Sequence, residues 1–252
     1  MPYAITFPIE GRGKPPRNVY RTLYANLLKW VGAAASDLAT ALHDRPVRKP
    51  FTVSPFRMVR EGQWEWRVTL LDDRLWSPLQ DGGCRVGVLD LNGTPYPVRW
   101  SEARVVHRSY ESMLTEMEPE RYLPIAFLSA TTFRAGSLDS PLPAPRAVFH
   151  SWSSRWNDFA PPHRRIPTEL LDLVYANVGI AAIDDLHTRR HDLGRSSPVG
   201  FVGRVTFVIT EARKLNQADV WRLNALADYA EFCGTGRKTT QGMGQTRRLD
   251  RD

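Results

Sequence analysis

The chain has two cysteines in 252 residues, Cys84 and Cys233, and no C-x-x-C pair. That excludes a disulfide-stapled scaffold and any thiolate zinc ribbon. No apolar run approaches the ~18 residues that span a bilayer. The nearest stretch, 31–42, is broken by Ser36, Asp37 and Thr40. The opening Met1–Glu10 has neither a basic n-region nor a long apolar segment, so no secretory signal is read there and a cytoplasmic location is expected. An acidic excess is also missing. Lys+Arg number 34 against 27 Asp+Glu, a net charge of +7, which rules out an acidic tail and fits a polyanionic partner without choosing one. What the chain does have is apolar bulk. Hydrophobic residues make up 42%, with eight Trp and ten Phe, enough to build a core and to argue against disorder.

Residues 3–9 alternate and read as a strand, followed by a basic loop at 11–17. Val19, Leu23, Leu27, Trp30 and Val31 recur at helical spacing up to Gly32, which reads as the helix end. A short second helix follows over Leu38–His43, capped by Ser36 or Asp37. Two hairpins are expected next. Phe51–Val59 and Trp64–Leu71 flank Arg60-Glu61-Gly62, and Arg85–Leu91 and Tyr96–Val106 flank a turn opened by Asn92-Gly93. A short helix around 73–81 separates them. After a polar helix at 109–118 the order restarts. It runs through a strand at Leu123–Ala130, helices at Pro145–Phe159 and Pro167–Asn177, strands at Gly179–Leu193 and Val199–Thr210, an amphipathic helix at Ala218–Cys233 and a last strand near 242–249. Each half reads as strand–helix–strand–strand–helix–strand. The expected fold is therefore α+β, with two tandem ferredoxin-like βαββαβ domains at 1–118 and 119–252.

The segment Gly234-Thr235-Gly236-Arg237-Lys238-Thr239-Thr240-Gln241-Gly242-Met243-Gly244 holds two G-x-G units around a basic, hydroxyl-rich insert. Glycine admits positive φ and close approach of backbone N–H groups to a phosphate, and Arg237, Lys238 and Thr239 add charge and donors. A P-loop needs glycine before the lysine, where Arg237 stands. A dinucleotide-binding fingerprint needs a third glycine at Thr239 and a preceding strand. Phosphate contact and a plain connecting loop are both open on composition alone.

This loop and its closing basic strand resemble the C-terminal signature of the CRISPR-associated RNA-processing endoribonucleases of the Cas6 family, within the RAMP superfamily. The resemblance recurs upstream. Leu42-His43-Asp44 followed by Lys49-Pro50-Phe51-Thr52-Val53-Ser54 is similar to the family's Leu-His-Glu and Lys-x-Phe-Thr-x-Ser at the same spacing. Phe127–Arg134 is similar to the strand opening its second domain, and Gly200-Phe201-Val202-Gly203 to the start of its central strand. The resemblance implies two ferredoxin-like domains and cofactor-free, metal-independent cleavage of the repeat in a precursor CRISPR transcript. It also implies repeat RNA as partner, a CRISPR effector complex as a further candidate partner, no membrane, and a monomer or homodimer.

Cutting RNA without metal needs a base for the 2′-OH, a cation beside the phosphorane and an acid for the 5′-oxygen. Histidine suits the proton transfers, its ordinary pKa being about 6.5. His43 is the candidate acid or base, and Lys49 the candidate stabiliser, with Arg48 as an alternative and an RNA contact. Where some family members carry a catalytic tyrosine, this chain has Leu28; Tyr24, one turn earlier, or Tyr20 could take the role. His187 and His191 sit four apart on one expected strand face, but no Cys or carboxylate spacing completes a metal site, and none is assigned.

Basic residues cluster at Arg12, Lys14 and Arg17; Arg45, Arg48 and Lys49; Arg164 and Arg165; Arg189 and Arg190; Arg237 and Lys238; and Arg247 and Arg248. Such groups bind phosphate in a salt-dependent way. The expected RNA contacts are Arg48, Arg189, Arg190, Gly234, Gly236, Arg237, Lys238, Thr239, Gly242 and Gly244. Trp64 and Trp66 alternate on a strand and read as core rather than as base-stacking platforms, and no RNA-recognition-module signature is present. A different reading of the same features is a non-catalytic RNA-binding subunit built on the same fold.

Overall fold

In the computed structural model, residues 1–10, 19–44, 48–116, 118–194, 196–213 and 215–250 are described. The expected loop at 11–17 and the basic residues Arg12, Lys14, Arg17 and Arg45 lie outside them. Two units emerge. One is centred on Met1–His107 and the other on Arg108–Asp192, Ser196–Thr239 and Met243–Asp252, while the short segments Leu193–Arg195 and Thr240–Gly242 group with the first.

The first unit runs β1 (Tyr3–Glu10), α1 (Tyr20–Ala34), α2 (Ser36–Asp44), β2 (Phe51–Val53), β3 (Arg57–Arg60), β4 (Gln63–Leu70), α3 (Trp76–Val86), β5 (Val88–Leu91), β6 (Thr94–Pro97) and β7 (Arg104–His107). Its antiparallel sheet has the order β2-β4-β1-β7, with β3 also paired to β4. Among the four framework strands this is second, third, first, fourth, the ferredoxin-like order. Alternation along β1 turns Ile5, Phe7 and Ile9 into the core, where Phe7, Trp30, Trp66 and Trp100 pack ring against ring at 4.7–5.7 Å between centroids. The Trp30 indole N–H donates to the Val88 carbonyl at 3.0 Å, satisfying its one polar atom. Gly82 allows α3 to lie against α1, since a Cβ there would sit 1.7 Å from the Trp30 carbonyl oxygen.

Several expectations shift in this unit. Gly32 does not end α1, which continues to Ala34, and α2 begins almost at once with Ser36. The hairpin at Asn92-Gly93 forms as a two-residue turn with φ of 56° and 85°, but Arg85 and Val86 belong to α3. The strand expected over Tyr96–Val106 divides into β6 and β7, so the hairpin is an insertion and β7 supplies the fourth framework strand.

The second unit runs α4 (Tyr110–Thr115), β8 (Tyr122–Thr131), β9 (Phe133–Ala135), β10 (Leu138–Ser140), α5 (Pro145–Phe159), α6 (Leu170–Asn177), β11 (Val178–Arg190), β12 (Val199–Ile209), α7 (Gln217–Cys233) and β13 (Thr246–Arg248). The sheet order β11-β12-β8-β13 is again second, third, first, fourth, all antiparallel. The chain is thus α+β with two tandem ferredoxin-like units. Helix α7 buries the expected Val220, Leu223, Leu226, Ala227 and Ala230, and more than that one face. Asn224 and Asp228 are buried as well. Asp228 accepts from Arg108 at 3.0 Å and from Arg248 at 2.8 Å, and Arg248 also donates to Glu120 and Asn224, so β13 is tied to α7 by a buried ionic knot. Among the described residues no helix is long and apolar enough to cross a membrane.

Candidate functional site

Helix α2 carries Asp37 in its first turn and His43 in its last, each placed favourably for the helix dipole. Leu42 faces the core, which turns the next residue outward, and His43 is exposed. The Lys49 ammonium returns to this helix end, donating to the Leu42 carbonyl at 2.6 Å and to the His43 carbonyl at 2.9 Å. It satisfies carbonyls that the last helical turn leaves open and fixes the backbone from which the imidazole projects. The structure therefore brings Lys49 to His43 through the backbone of His43. Arg48 is exposed next to them.

Tyr24, on α1, is half-buried with its ring tilted against Phe51 at 5.6 Å. The phenol is already protonated near neutrality at the ordinary tyrosine value, and burial pushes it further up, so the hydroxyl is suited to donating a hydrogen bond and not to acting as a base. Tyr20 and Leu28 are also partly buried against the core.

The glycine loop leaves α7 at Gly234, which has φ 66°. Gly236 and Gly244 need glycine on two counts. Both have positive φ, 75° and 69°, and a Cβ would lie 2.3 Å from the Thr132 oxygen and 2.0 Å from the Thr235 oxygen respectively. Gly242, at φ 83°, lies against the ring of Tyr20. The N–H groups of Gly234, Gly236 and Gly244 donate to Ala230 O, Ser151 Oγ and Ala130 O, and those of Thr235 and Arg237 to Gly244 O and Thr132 O. These amides hold the loop to its own unit, so an anion would be met there by side chains rather than by the cradle of glycine N–H groups expected from the sequence. Arg237 is ion-paired to Asp139 on β10, which Arg134 also approaches at 3.5 Å. Lys238 adopts φ 57°, unusual for a residue with a side chain, and its carbonyl accepts from Met243 N–H. Thr239 is buried.

Beneath the loop lie residues that the sequence did not single out. Ser151, Trp152 and Arg155 project from α5. Arg155, only 6% exposed, donates through Nη2 to the Gly236 carbonyl at 2.6 Å and reaches Thr239 Oγ1 at 3.4 Å. Ser151 Oγ accepts from Arg155 Nη1 at 2.7 Å and from Gly236 N–H at 2.8 Å. Trp152 Nε1 donates to Thr235 Oγ1 at 2.7 Å, Thr235 Oγ1 lies 2.7 Å from Thr246 Oγ1, and Thr246 donates on to the Gly244 carbonyl at 2.9 Å. The one proton on each hydroxyl fixes the direction of this chain, from indole to threonine to threonine to carbonyl. The available sequence signal was Arg155 four residues after Ser151, a polar pair set among Val148, Phe149, Trp152 and Trp156.

Arg189 and Arg190 are exposed at the end of β11, opposite Gly200 and Val199. The expected histidine pair on one strand face does not form. Strand β11 stops at Arg190, and His191 is buried beyond it while His187 is exposed on the strand. Among the described residues no group of three or more His, Cys, Asp or Glu is arranged to hold a metal ion. Trp66 is fully buried and Trp64 packs against the core, as expected of core residues.

The family model of the CRISPR-associated endoribonuclease Cas6 matches residues 125–246. The chain superposes on a Cas6 product complex with a TM-score of 0.85 and 26% identity, covering 99% of this chain and 100% of that one. The structure described as Thermus thermophilus Cas6 gives a TM-score of 0.75 at 26% identity, covering 99% and 98%. A Cas6 substrate mimic complex gives 0.74 at 25% identity, covering 98% and 99%. No curated protein sequence matches the chain.

Proposed function

From the Cas6 family of CRISPR-associated endoribonucleases, to which this chain belongs, we propose that it cuts precursor CRISPR RNA within the repeat by attack of a 2′-OH on the adjoining phosphate. The O–P bond to the 5′-oxygen breaks, leaving a 2′,3′-cyclic phosphate and a 5′-OH. A role in CRISPR repeat RNA processing follows from the family; the route is our own reading. It is supported by similar solved structures described as a Cas6 product complex and a Cas6 substrate mimic complex.

The observation that carries the reading is the exposed His43 with the Lys49 ammonium at its own carbonyl. His43 serves as the proton-transfer group, taking the 2′-OH proton or delivering one to the 5′-oxygen. Lys49 has two parts. It anchors the end of α2, and it supplies positive charge near the phosphorane, where a fixed cation costs no reorganisation as charge develops. Tyr24, a protonated phenol whose ionisation burial further disfavours, is the candidate hydrogen-bond donor in place of the tyrosine that Leu28 displaces. No metal takes part in this scheme. Arg48, Arg189, Arg190, Arg237 and Lys238 are the candidate phosphate contacts, and the glycines 234, 236, 242 and 244 with Thr239 set the loop that carries the last two.

The test is incubation of the protein with repeat RNA in excess EDTA, followed by mapping of the ends. The expected products carry a 2′,3′-cyclic phosphate and a 5′-OH. Products ending in 5′-phosphate, or cleavage that vanishes in chelator and returns with Mg²⁺, would exclude this route.

A further inference from the structure

Helix α5 presents Ser151 and Arg155 on one face, directly under the glycine loop, and the two side chains share their hydrogen bonds with it. The Arg155 guanidinium fork spans both. Nη2 donates to the Gly236 carbonyl at 2.6 Å and approaches Thr239 Oγ1, while Nη1 donates to Ser151 Oγ at 2.7 Å. Ser151 Oγ in turn accepts the Gly236 N–H. Gly236 is thus held at both its N–H and its C=O, immediately before Arg237 and Lys238. Tyr229 of α7 closes the base of this cluster. Its hydroxyl lies 3.3 Å from the Arg155 carbonyl, and burial pushes its phenol well above the ordinary value, so it remains a neutral donor. A buried arginine is costly to desolvate. One whose fork meets a loop carbonyl and two hydroxyls that face the same loop fixes that loop's conformation. With Lys238 at φ 57°, the loop is held in a conformation that an unsupported chain rarely adopts.

We propose that Arg155, assisted by Ser151, is the positioning residue that presents the Arg237–Lys238 segment to the RNA backbone. Buried as it is, it does not touch RNA; it acts through Gly236 and Thr239. The proposal rests on the reading of the loop as an RNA contact.

The experiment measures repeat-RNA affinity against salt, single-turnover cleavage at saturating protein, and thermal melting. It compares the unaltered chain with Arg155→Met, Arg155→Lys, Ser151→Ala, Lys238→Ala and the double variant Arg155→Met/Lys238→Ala. Arg155→Met is expected to weaken binding about tenfold, the scale of one charge-assisted hydrogen bond lost. Cleavage of the bound RNA should stay within about threefold. Arg155→Met should lower the salt slope by part of the change that Lys238→Ala produces, about one, because it weakens the same phosphate contact without removing the charge. The double variant should bind little worse than Lys238→Ala alone, since both act on one contact. Arg155→Lys, which keeps the charge but loses the fork, should recover only part of the affinity.

If Arg155→Met leaves affinity unchanged while Lys238→Ala weakens it, the positioning role is overturned and the loop contact stands. If Lys238→Ala leaves both affinity and salt slope unchanged, the loop reading falls and the proposal falls with it. If Arg155→Met fails to fold, Ser151→Ala decides: unchanged affinity overturns the proposal, and weaker binding with a reduced salt slope upholds it.

Discussion

The first unit fills its interior with Phe7, Trp30, Trp66 and Trp100, and its candidate chemistry stands outside, on the last turn of a nine-residue helix. The second unit, on the same strand order, packs rings as well, Phe149, Trp152, Trp156 and Tyr229 among them, and in addition buries a guanidinium, a carboxylate and several hydroxyls, most of which converge on the glycine loop or on β13. Apolar burial is non-directional and stabilises a framework without dictating what its rim carries. Buried hydrogen-bond networks are directional and select one conformation, at a heavy cost when a member is lost. The contrast suggests that the first unit supplies a reactive group on a rigid base and the second a pre-shaped backbone. Substitutions in the first should then change rate, and substitutions in the second should change geometry and stability.

The sharpest break of that contrast comes from His43→Ala. Single-turnover cleavage should fall about 10²–10⁴-fold, with affinity for repeat RNA and melting temperature nearly unchanged. A loss of binding with the rate preserved would reverse the assignment of roles. In the second unit, Gly244→Ala combines a positive φ with a clash against the Thr235 carbonyl, and should cost about 2–5 kcal/mol in a denaturant titration. Loss of less than about 1 kcal/mol would mean that the loop is not held as tightly as its hydrogen bonds imply.

Asp139→Asn acts at the boundary of structure and binding. It releases Arg237 from a partly exposed carboxylate and removes a negative charge that competes with phosphate. Affinity at low salt should rise about twofold to fivefold, the range of a surface ion pair. Glu65→Gln should have the smallest effect. Burial alone would push the Glu65 carboxyl up, but hydrogen bonds and charges from Arg57 and Arg104 outweigh it, leaving the carboxyl below its ordinary 4.5. The unfolded chain therefore binds the proton more readily. The contribution is full above about pH 4.5 and is lost as pH falls through the lower native value. The variant's melting temperature should vary less with pH across that acid window, and an unaltered profile would remove the pairing from the account.

The succession of strands and helices along both halves was legible because β1, β4, β8 and β12 alternate or run apolar between turn residues, and because Pro145 opens α5 where its missing N–H does no harm. The end of α1 was not legible. Gly32 lies inside the helix, with its Cα facing the Ala39 side chain, so packing between α1 and α2 rather than helix termination accounts for it. His43 and Lys49 were singled out by the resemblance to the family's Leu-His-Glu and Lys-x-Phe-Thr-x-Ser pattern, but the contact that joins them, an ammonium on two helical carbonyls, is visible only in three dimensions. Arg155 escaped notice because a lone arginine among apolar helix positions carries no motif; its partners lie about 80 residues away in Thr235–Thr239. The loop's glycines were read as a phosphate cradle, whereas their amides close on Ala130, Ser151 and Ala230.

The measurement that bears most directly on the proposed chemistry is single-turnover cleavage, in EDTA, of a repeat RNA carrying one 2′-deoxy nucleotide on the 5′ side of the cut. The account predicts unchanged binding and no product, because the nucleophile is gone. Cleavage at that linkage would contradict it.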